Sequence, residues 1–377
     1  MDYSAIDRYI DRLIDDTVPD KPIWNIENIK LGKPAAWNYI DGCMMTSLYS
    51  IYRQTGRKKY LDFIDEFVDY YVFDDGSIRG YELETFNVDN INEGRVLFDL
   101  YRETKKEKYK KAAELLYSQL LAQPRTGLGN FWHKKIYPQQ VWLDGLYMAQ
   151  VFYTRYETEF NGGKNYADIV NQFQNVYDNM YDKQKRLYYH GWDYSKSAFW
   201  ADKNSGLSKS FWLRSIGWYT VGLVDAIGYF DDGAKQFKDK LIKIFKETIE
   251  GLESYVDPDK KMFWQVVDQK NRKGNYLETS GSAMIAYAMM KGARLGLVDK
   301  KYSALGKSIF DGICKEYLTE KEGKLNLGGI CLMAGLGPEN NPKRDGTFEY
   351  YVSEPVVKND AKGTGPFVMA YTEVMQL

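Results

Sequence analysis

Apolar residues fall along this chain in segments of two kinds. In the first kind they mark one helical face: Tyr109, Ala113, Leu116 and Leu120, with Lys and Glu elsewhere, and later Phe237, Leu241, Ile244, Phe245 and Thr248. A stripe at this spacing predicts a helix with one side on a core and the other in water. In the second kind the apolar residues run nearly all round: Leu146-Tyr147-Met148-Ala149 followed by Val151-Phe152-Tyr153, then Trp218 to Ile227, and Ala283 to Met290. These predict helices buried on several sides. The two kinds alternate. One-sided segments span 3–16, 58–72, 106–123, 163–181, 233–255 and 299–318; all-round segments span 40–54, 90–103, 142–158, 213–228, 279–297 and 364–375. Six such pairs predict an all-α fold, an (α/α)6 barrel with an inner ring inside an outer one. No Pro-, Gly- and Ser-rich linker interrupts the alternation, so residues 1–377 read as one domain.

An internal repeat supports stacked helical hairpins. Tyr52-Arg53-Gln54-Thr55-Gly56-Arg57-Lys58-Lys59-Tyr60 recurs 49 residues later as Tyr101-Arg102-Glu103-Thr104-Lys105-Lys106-Glu107-Lys108-Tyr109. Each all-round segment opens on a polar or aromatic cluster with a glycine. The clusters are Trp37-Asn38-Tyr39-Ile40-Asp41-Gly42, Asn87-Val88-Asp89-Asn90 with Gly94, Trp142-Leu143-Asp144-Gly145, Trp212-Leu213-Arg214-Ser215-Ile216-Gly217-Trp218, Glu278-Thr279-Ser280-Gly281 and Lys362-Gly363-Thr364-Gly365-Pro366-Phe367. Six inner helices starting side by side would pool these clusters at one mouth. The register is uneven: Gly42 precedes Tyr52 by ten residues, but Gly94 precedes Tyr101 by seven, about one helical turn out of step. Arg186 to His190 and Met262 to Val267 carry the aromatic and β-branched residues of short hairpins. Loop 324–361 has the length of a functional rim or lid.

Composition narrows the function classes. With 51 Lys and Arg against 52 Asp and Glu, nothing asks for nucleic acid or an anionic membrane as partner. Three widely spaced cysteines form neither a disulfide framework nor a zinc pattern, and two histidines without clustered cysteines point to no metal site. No cofactor motif is present: there is no P-loop, dinucleotide fingerprint or nucleophile elbow. The acidic, amphipathic start Met1-Asp2-Tyr3-Ser4 has no signal-type apolar region and no apolar run spans a bilayer, so a cytoplasmic location is expected. Aromatic residues make up 16% of the chain. Large helical cores use them, and so do sugar clefts, where a pyranose stacks on an aromatic face.

The carboxylates at the mouth are the candidates for chemistry. Asp144 stands in a nearly apolar string and Asp89 opens the inner helix before it. Each has two readings, a helix N-cap or an acid–base group. Desolvation by aromatics raises a carboxyl pKa, whereas a helix N-terminus lowers it. A neighbouring carboxylate would separate the two pKa values further. Both histidines fall in loops on the mouth side, His133 before the Asp144 helix and His190 before the Arg214 helix. Arg214, between Trp212 and Trp218, is either a stacked structural residue or a clamp for a substrate carboxylate. Trp37, Tyr39 and Trp142 are candidate walls.

At these residues the sequence resembles glycoside hydrolase family 105, the unsaturated rhamnogalacturonyl hydrolases. The similar strings are Gly129-Asn130-Phe131-Trp132-His133-Lys134, Tyr137-Pro138, Gln140 to Met148, Tyr189-His190-Gly191-Trp192-Asp193, Trp212 to Tyr219, Trp264 to Asp268 and Leu277 to Ser282. The resemblance implies an (α/α)6 barrel that removes a 4,5-unsaturated uronic acid from the non-reducing end of pectin-derived oligosaccharides. It implies Asp144 as general acid and base, Asp89 as its assistant, and a sugar site lined by His133, His190, Trp212 and Arg214.

The sequence also departs from the family pattern. The first cluster lacks the histidines that relatives show, Lys362 stands where a histidine often does, and residues 333–347 diverge locally. These departures bear on which sugar leaves. The alternatives are an unsaturated glucuronyl hydrolase of glycosaminoglycan fragments, a sugar epimerase using a histidine pair, and a non-catalytic carbohydrate-binding protein.

Overall fold

The computed structural model describes residues 3–377; Met1 and Asp2 of the acidic N-terminus lie outside the described residues. Among the described residues, twelve long helical segments alternate between two rings. They are α1 (Ser4–Asp15), α2 (Tyr39–Thr55), α3 (Lys58–Tyr71), α4 (89–104), α5 (Glu107–Ala122), α6 (143–160), α7 (Tyr166–Met180), α8 (Leu213–Tyr229), α9 (Lys235–Glu253), α10 (Thr279–Arg294), α11 (Lys301–Tyr317) and α12 (Ala361–Val374). Even-numbered helices form the inner ring. Each packs on the next, and α12 closes the ring against α2. The (α/α)6 barrel expected from the alternation is therefore present. Burial follows the two patterns. Every residue of α8 from Leu213 to Ile227 is buried, whereas α9 buries only one stripe that includes Leu241, Ile244, Phe245 and Leu252.

Glycines at the helix starts let the ring close. A Cβ on Gly42 of α2 would stand 2.6 Å from Glu93 Cα in α4, and one on Gly365 of α12 would stand 2.8 Å from the Cys43 carbonyl oxygen in α2. Both obstacles are backbone, which cannot swing aside. Gly94 serves a different contact. Its added Cβ would run into Leu116 of the outer helix α5 and press on Phe152 of the inner helix α6.

Two inner helices depart from α geometry. In α4, Asp89–Asn92 is α-helical, Glu93–Val96 is a 3-10 turn and Leu97–Thr104 returns to α. In α6, the turn Leu143–Gly145 leads into a π-helical segment, Leu146–Gln150, before Val151–Phe160. Single π segments of this kind occur often at functional sites.

Among the described residues, four two-stranded antiparallel pairs decorate the loops. They are β1 (Gln140–Trp142) with β4 (Gly191–Asp193), β2 (Tyr181–Asp182) with β3 (Leu187–Tyr188), β5 (Leu318–Lys321) with β6 (Lys324–Leu327), and β7 (Ile330–Cys331) with β8 (Val356–Val357). The hairpin expected around Arg186 to His190 is the β2–β3 pair. The one expected at Met262 to Val267 is not a hairpin. Its amides are taken by unlike partners, Ser282 Oγ for Phe263, the Tyr276 carbonyl for Gln265 and Asn275 Oδ1 for Val266, which leaves only isolated bridges. Segment 324–361 is less loop-like than expected, since it holds β6, β7, β8 and a short helix, Phe348–Ser353.

At the far end, the C-terminal halves of the inner helices enclose a polar cavity of about 350 Å³. Three of its cations are paired: Arg155 with Asp99 and Arg294 with Glu373 at 2.6 Å, and Lys291 with the buried Asp225 at 2.7 Å. Basic groups are favoured at the negative ends of helices. Among the described residues no helix is long and apolar enough to cross a membrane.

Ring closure is testable by adding one methyl group. Gly365→Ala should lower the urea unfolding free energy by about 1–3 kcal/mol, the usual cost of overpacking. Gly228→Ala, whose Cβ would meet nothing closer than 3.9 Å, should instead gain about 0.5 kcal/mol from the backbone entropy that glycine loses in a helix.

Candidate active site

The helix starts at the mouth differ in how they use their polar side chains. Asn38 caps α2 by accepting from the Ile40 and Asp41 amides, Glu278 caps α10 by accepting from Gly281, and Asp360 caps α12 by accepting from Lys362. Asp89 and Asp144 cap nothing. The residues at the cap positions of their helical turns are Val88 and Trp142, with no side-chain cap bond. Of the two readings open from the sequence, the structure removes the capping one for both. Asp89 and Asp144 keep 8% and 9% of their surface exposed, so each touches both the interior and the mouth.

Strand pairing sets the partner of Asp144. In the β1–β4 register Trp142 faces Gly191, and the Leu143 amide donates to the His190 carbonyl at 3.1 Å. His190 is thereby fixed beside the first turn of α6, with its Nε2 3.2 Å from Asp144 Oδ2. That oxygen and His190 Nε2 are both buried, and at this separation neither completes a hydrogen bond to a described residue. On the other side of the ring, His190 Nδ1 lies 2.6 Å from the Tyr351 hydroxyl.

Asp89 has a separate set of partners. The Val88 amide donates to the His133 carbonyl at 3.2 Å and the His133 amide donates to the Gln140 carbonyl at 2.9 Å, tying α4, the loop and β1 together. His133 Nε2 is 3.3 Å from Asp89 Oδ1, and Lys134 Nζ is 2.6 Å from Oδ2. Burial alone would raise the Asp89 pKa, but the Lys134 ammonium and then His133 outweigh it and hold it below the usual carboxylate range. Burial pulls His133 down to about 4, against the opposing pull of Asp89. At neutral pH the cluster is thus a carboxylate, an ammonium and a neutral imidazole.

Aromatic rings join the two clusters. Trp142 stacks on His133 at 4.4 Å and on Tyr137 at 4.7 Å, and meets His190 edge-on at 5.6 Å. His190 also packs on Trp212 at 4.7 Å. Trp218 lies between Tyr147, stacked at 4.4 Å, and the half-buried Tyr39, edge-on at 6.5 Å. Trp37 behaves as a packing residue: its indole donates to the Asn90 carbonyl at 2.8 Å and its ring packs on Tyr71 of outer helix α3. Arg214 is 1% exposed, sits over the Trp212 ring at 5.4 Å and donates through Nη2 to the Cys331 carbonyl, while its Nε is buried without a partner. The stacked contact is present, and the unpartnered Nε leaves one donor over. Lys362 is also buried, with Nζ 3.1 Å from Glu27 and 3.2 Å from Asp360.

Two residues at the site escaped sequence reasoning. Lys134 directly follows His133, and a cation in so aromatic a string is a readable signal for a carboxylate partner. Tyr351 gave none, because 161 residues separate it from His190.

A double helical ring whose mouth gathers two uncapped carboxylates among tryptophans has the build of a carbohydrate-active enzyme. The chain belongs to glycoside hydrolase family 105: it is 40% identical to a Clostridium (C. acetobutylicum) glycoside hydrolase of that family, with a TM-score of 0.91 over 99% of this chain and all of that one. The model of Glycosyl Hydrolase Family 88 matches residues 9–377. An unsaturated rhamnogalacturonyl hydrolase of Bacillus subtilis, YesR, is 26% identical over 266 residues, 69% of this chain and 72% of that protein. An unsaturated glucuronyl hydrolase from Bacillus sp. GL1 shares the fold, with a TM-score of 0.60 at 12% identity, over 89% of this chain and 85% of that one.

The buried neutral His133 makes acid stability testable. Its folded pKa lies below the unfolded value of 6.5, so the unfolded chain takes up the proton first as pH falls. Stability from this residue is complete above about pH 6.5 and is lost towards pH 4. Urea melts at pH 7 and 4.5 should show His133→Gln losing about 2 kcal/mol less on acidification than the parent.

Proposed function

We propose that the protein hydrolyses oligosaccharides ending in a 4,5-unsaturated uronic acid, with rhamnogalacturonan fragments as substrate. The observation that carries this reading is the state of Asp144. It caps no helix, buries one oxygen beside His190, and keeps part of its carboxyl group at a mouth where Asp89 stands as an anion. Likeness to the Bacillus subtilis rhamnogalacturonyl hydrolase supports the choice of sugar. The three cysteines are free and buried, in keeping with a cytoplasmic enzyme working on short fragments. The whole chain acts as one catalytic domain on this reading.

The chemistry follows from the substrate's enol ether. Protonated Asp144 gives its proton to C4 of the double bond, and positive charge develops at C5 and the ring oxygen. Asp144, now a carboxylate, takes a proton from a water molecule that adds at C5. The resulting hemiketal opens and expels the remaining sugar. One carboxyl group is acid and then base. Asp89, held ionised by Lys134, faces the developing cation and orients the water. His133, Trp142, His190 and Trp212 shape the pocket for the uronate ring, with Tyr39 and Trp218 on the adjoining wall. Arg214 supplies positive charge for the uronate carboxylate, and Trp37 supports the rim from behind.

Incubation with unsaturated rhamnogalacturonan disaccharide should abolish the ultraviolet absorbance of the conjugated uronate and, in heavy water, place one deuterium at C4. Asp144→Asn should lower kcat by about 10²–10⁴-fold, the range for a lost general acid. No turnover of any unsaturated uronide would overturn the enzyme reading. Preference for a glycosaminoglycan disaccharide would overturn the sugar assignment, and an active Asp144→Asn would remove Asp144 from its role.

A further inference from the structure

Tyr351 belongs to the short helix Phe348–Ser353, which the chain places between β7 and β8. It is fully buried. Its ring stacks on Trp212 at 5.6 Å and 11°, and its carbonyl accepts from Gln265 Nε2 at 3.1 Å. These contacts aim the hydroxyl at His190 Nδ1, 2.6 Å away, and it makes no other hydrogen bond among the described residues. Burial keeps the phenol protonated by pushing its pKa well above the ordinary value of 10.

Those facts decide which way the hydrogen bond runs. A buried hydroxyl with one partner has to donate to it or leave its proton unplaced, at the cost of an unmade bond. A neutral imidazole carries a single N–H, so a lone pair on Nδ1 puts that N–H on Nε2. Nε2 is the atom that stands 3.2 Å from Asp144 Oδ2. The opposite tautomer would strand the phenol proton.

We propose that Tyr351 is a positioning residue that locks His190 in the Nε2–H tautomer, so that an N–H stands ready 3.2 Å from Asp144 Oδ2 and Oδ1 is left as the oxygen that transfers the proton. The first half concerns the free protein; the second rests on the function proposed above. The device matters most at the moment Asp144 gives up its proton. The new carboxylate then meets an N–H already beside it, and only a small adjustment closes the hydrogen bond. Asn or Gln at position 190 could fill the space but could not be tuned in this way from position 351.

The chain has only two histidines, so nitrogen NMR of protein labelled with ¹⁵N-histidine resolves both rings, and His133→Gln assigns the other. The parent should show His190 protonated at Nε2 and bare at Nδ1. In Tyr351→Phe the His190 signals should move toward the Nδ1–H form, with kcat down about tenfold, the worth of one hydrogen bond, and KM within about twofold. A parent His190 protonated at Nδ1 overturns the proposal without any variant needing to fold. An unchanged tautomer in Tyr351→Phe overturns it as well, and so does a changed tautomer with unchanged kcat. The Nε2–H form in a protein that turns over no unsaturated uronide would uphold the lock and overturn only the proposed function.

Discussion

The distance between neighbouring inner helices governs the rest of this structure. Backbone meets backbone where Gly42 lies on Glu93 and where Gly365 lies on Cys43. At that spacing six helix starts crowd one rim, and their unpaired amides and positive dipole ends converge there. Negative groups are favoured at such a rim. Asn38, Glu278 and Asp360 satisfy three of the six starts, and Asn87 Oδ1 accepts from the Asp89 amide at a fourth. Asp89 and Asp144 share the same favourable field but satisfy no amide, and so remain available. The far end shows the complement, with Arg155, Lys291 and Arg294 gathered where the helices end.

The two helices that carry these carboxylates are the two that break α geometry. The tighter 3-10 turn of α4 follows Asp89, and the wider π segment of α6 follows Asp144. A regular helix would have passed on its register from mouth to far end. Here each irregularity separates the two, so the outer repeat can hold its packing while the carboxylate end is set by its own contacts with His133 and His190.

The sequence reading reached the ring architecture because burial on one side and burial on all sides leave different periodicities. It placed α8 and α9 within a few residues of their observed ends. It failed where structure depends on partners far along the chain. Met262 to Val267 looked like a strand from its side chains, yet its amides are claimed by Asn275, Tyr276 and Ser282. The candidate residues Asp89, His133, Trp142, Asp144, His190 and Trp212 are adjacent, and local motifs pointed to each. What no motif could express was the pairing: which carboxylate faces which histidine is decided by the β1–β4 register, and a capping carboxylate looks the same in sequence as a free one.

The seam between α2 and α12 joins helices that lie more than 300 residues apart in the chain. Tyr351 and the Cys331 carbonyl that accepts from Arg214 also come late. As the polypeptide leaves the ribosome, most of the mouth residues are made well before the segment that completes them. Until that segment arrives, the inner faces of α2 and α10 lack their neighbour and expose apolar surface. Closure of the ring therefore depends on the last inner helix to be made, which fills the gap between α10 and α2.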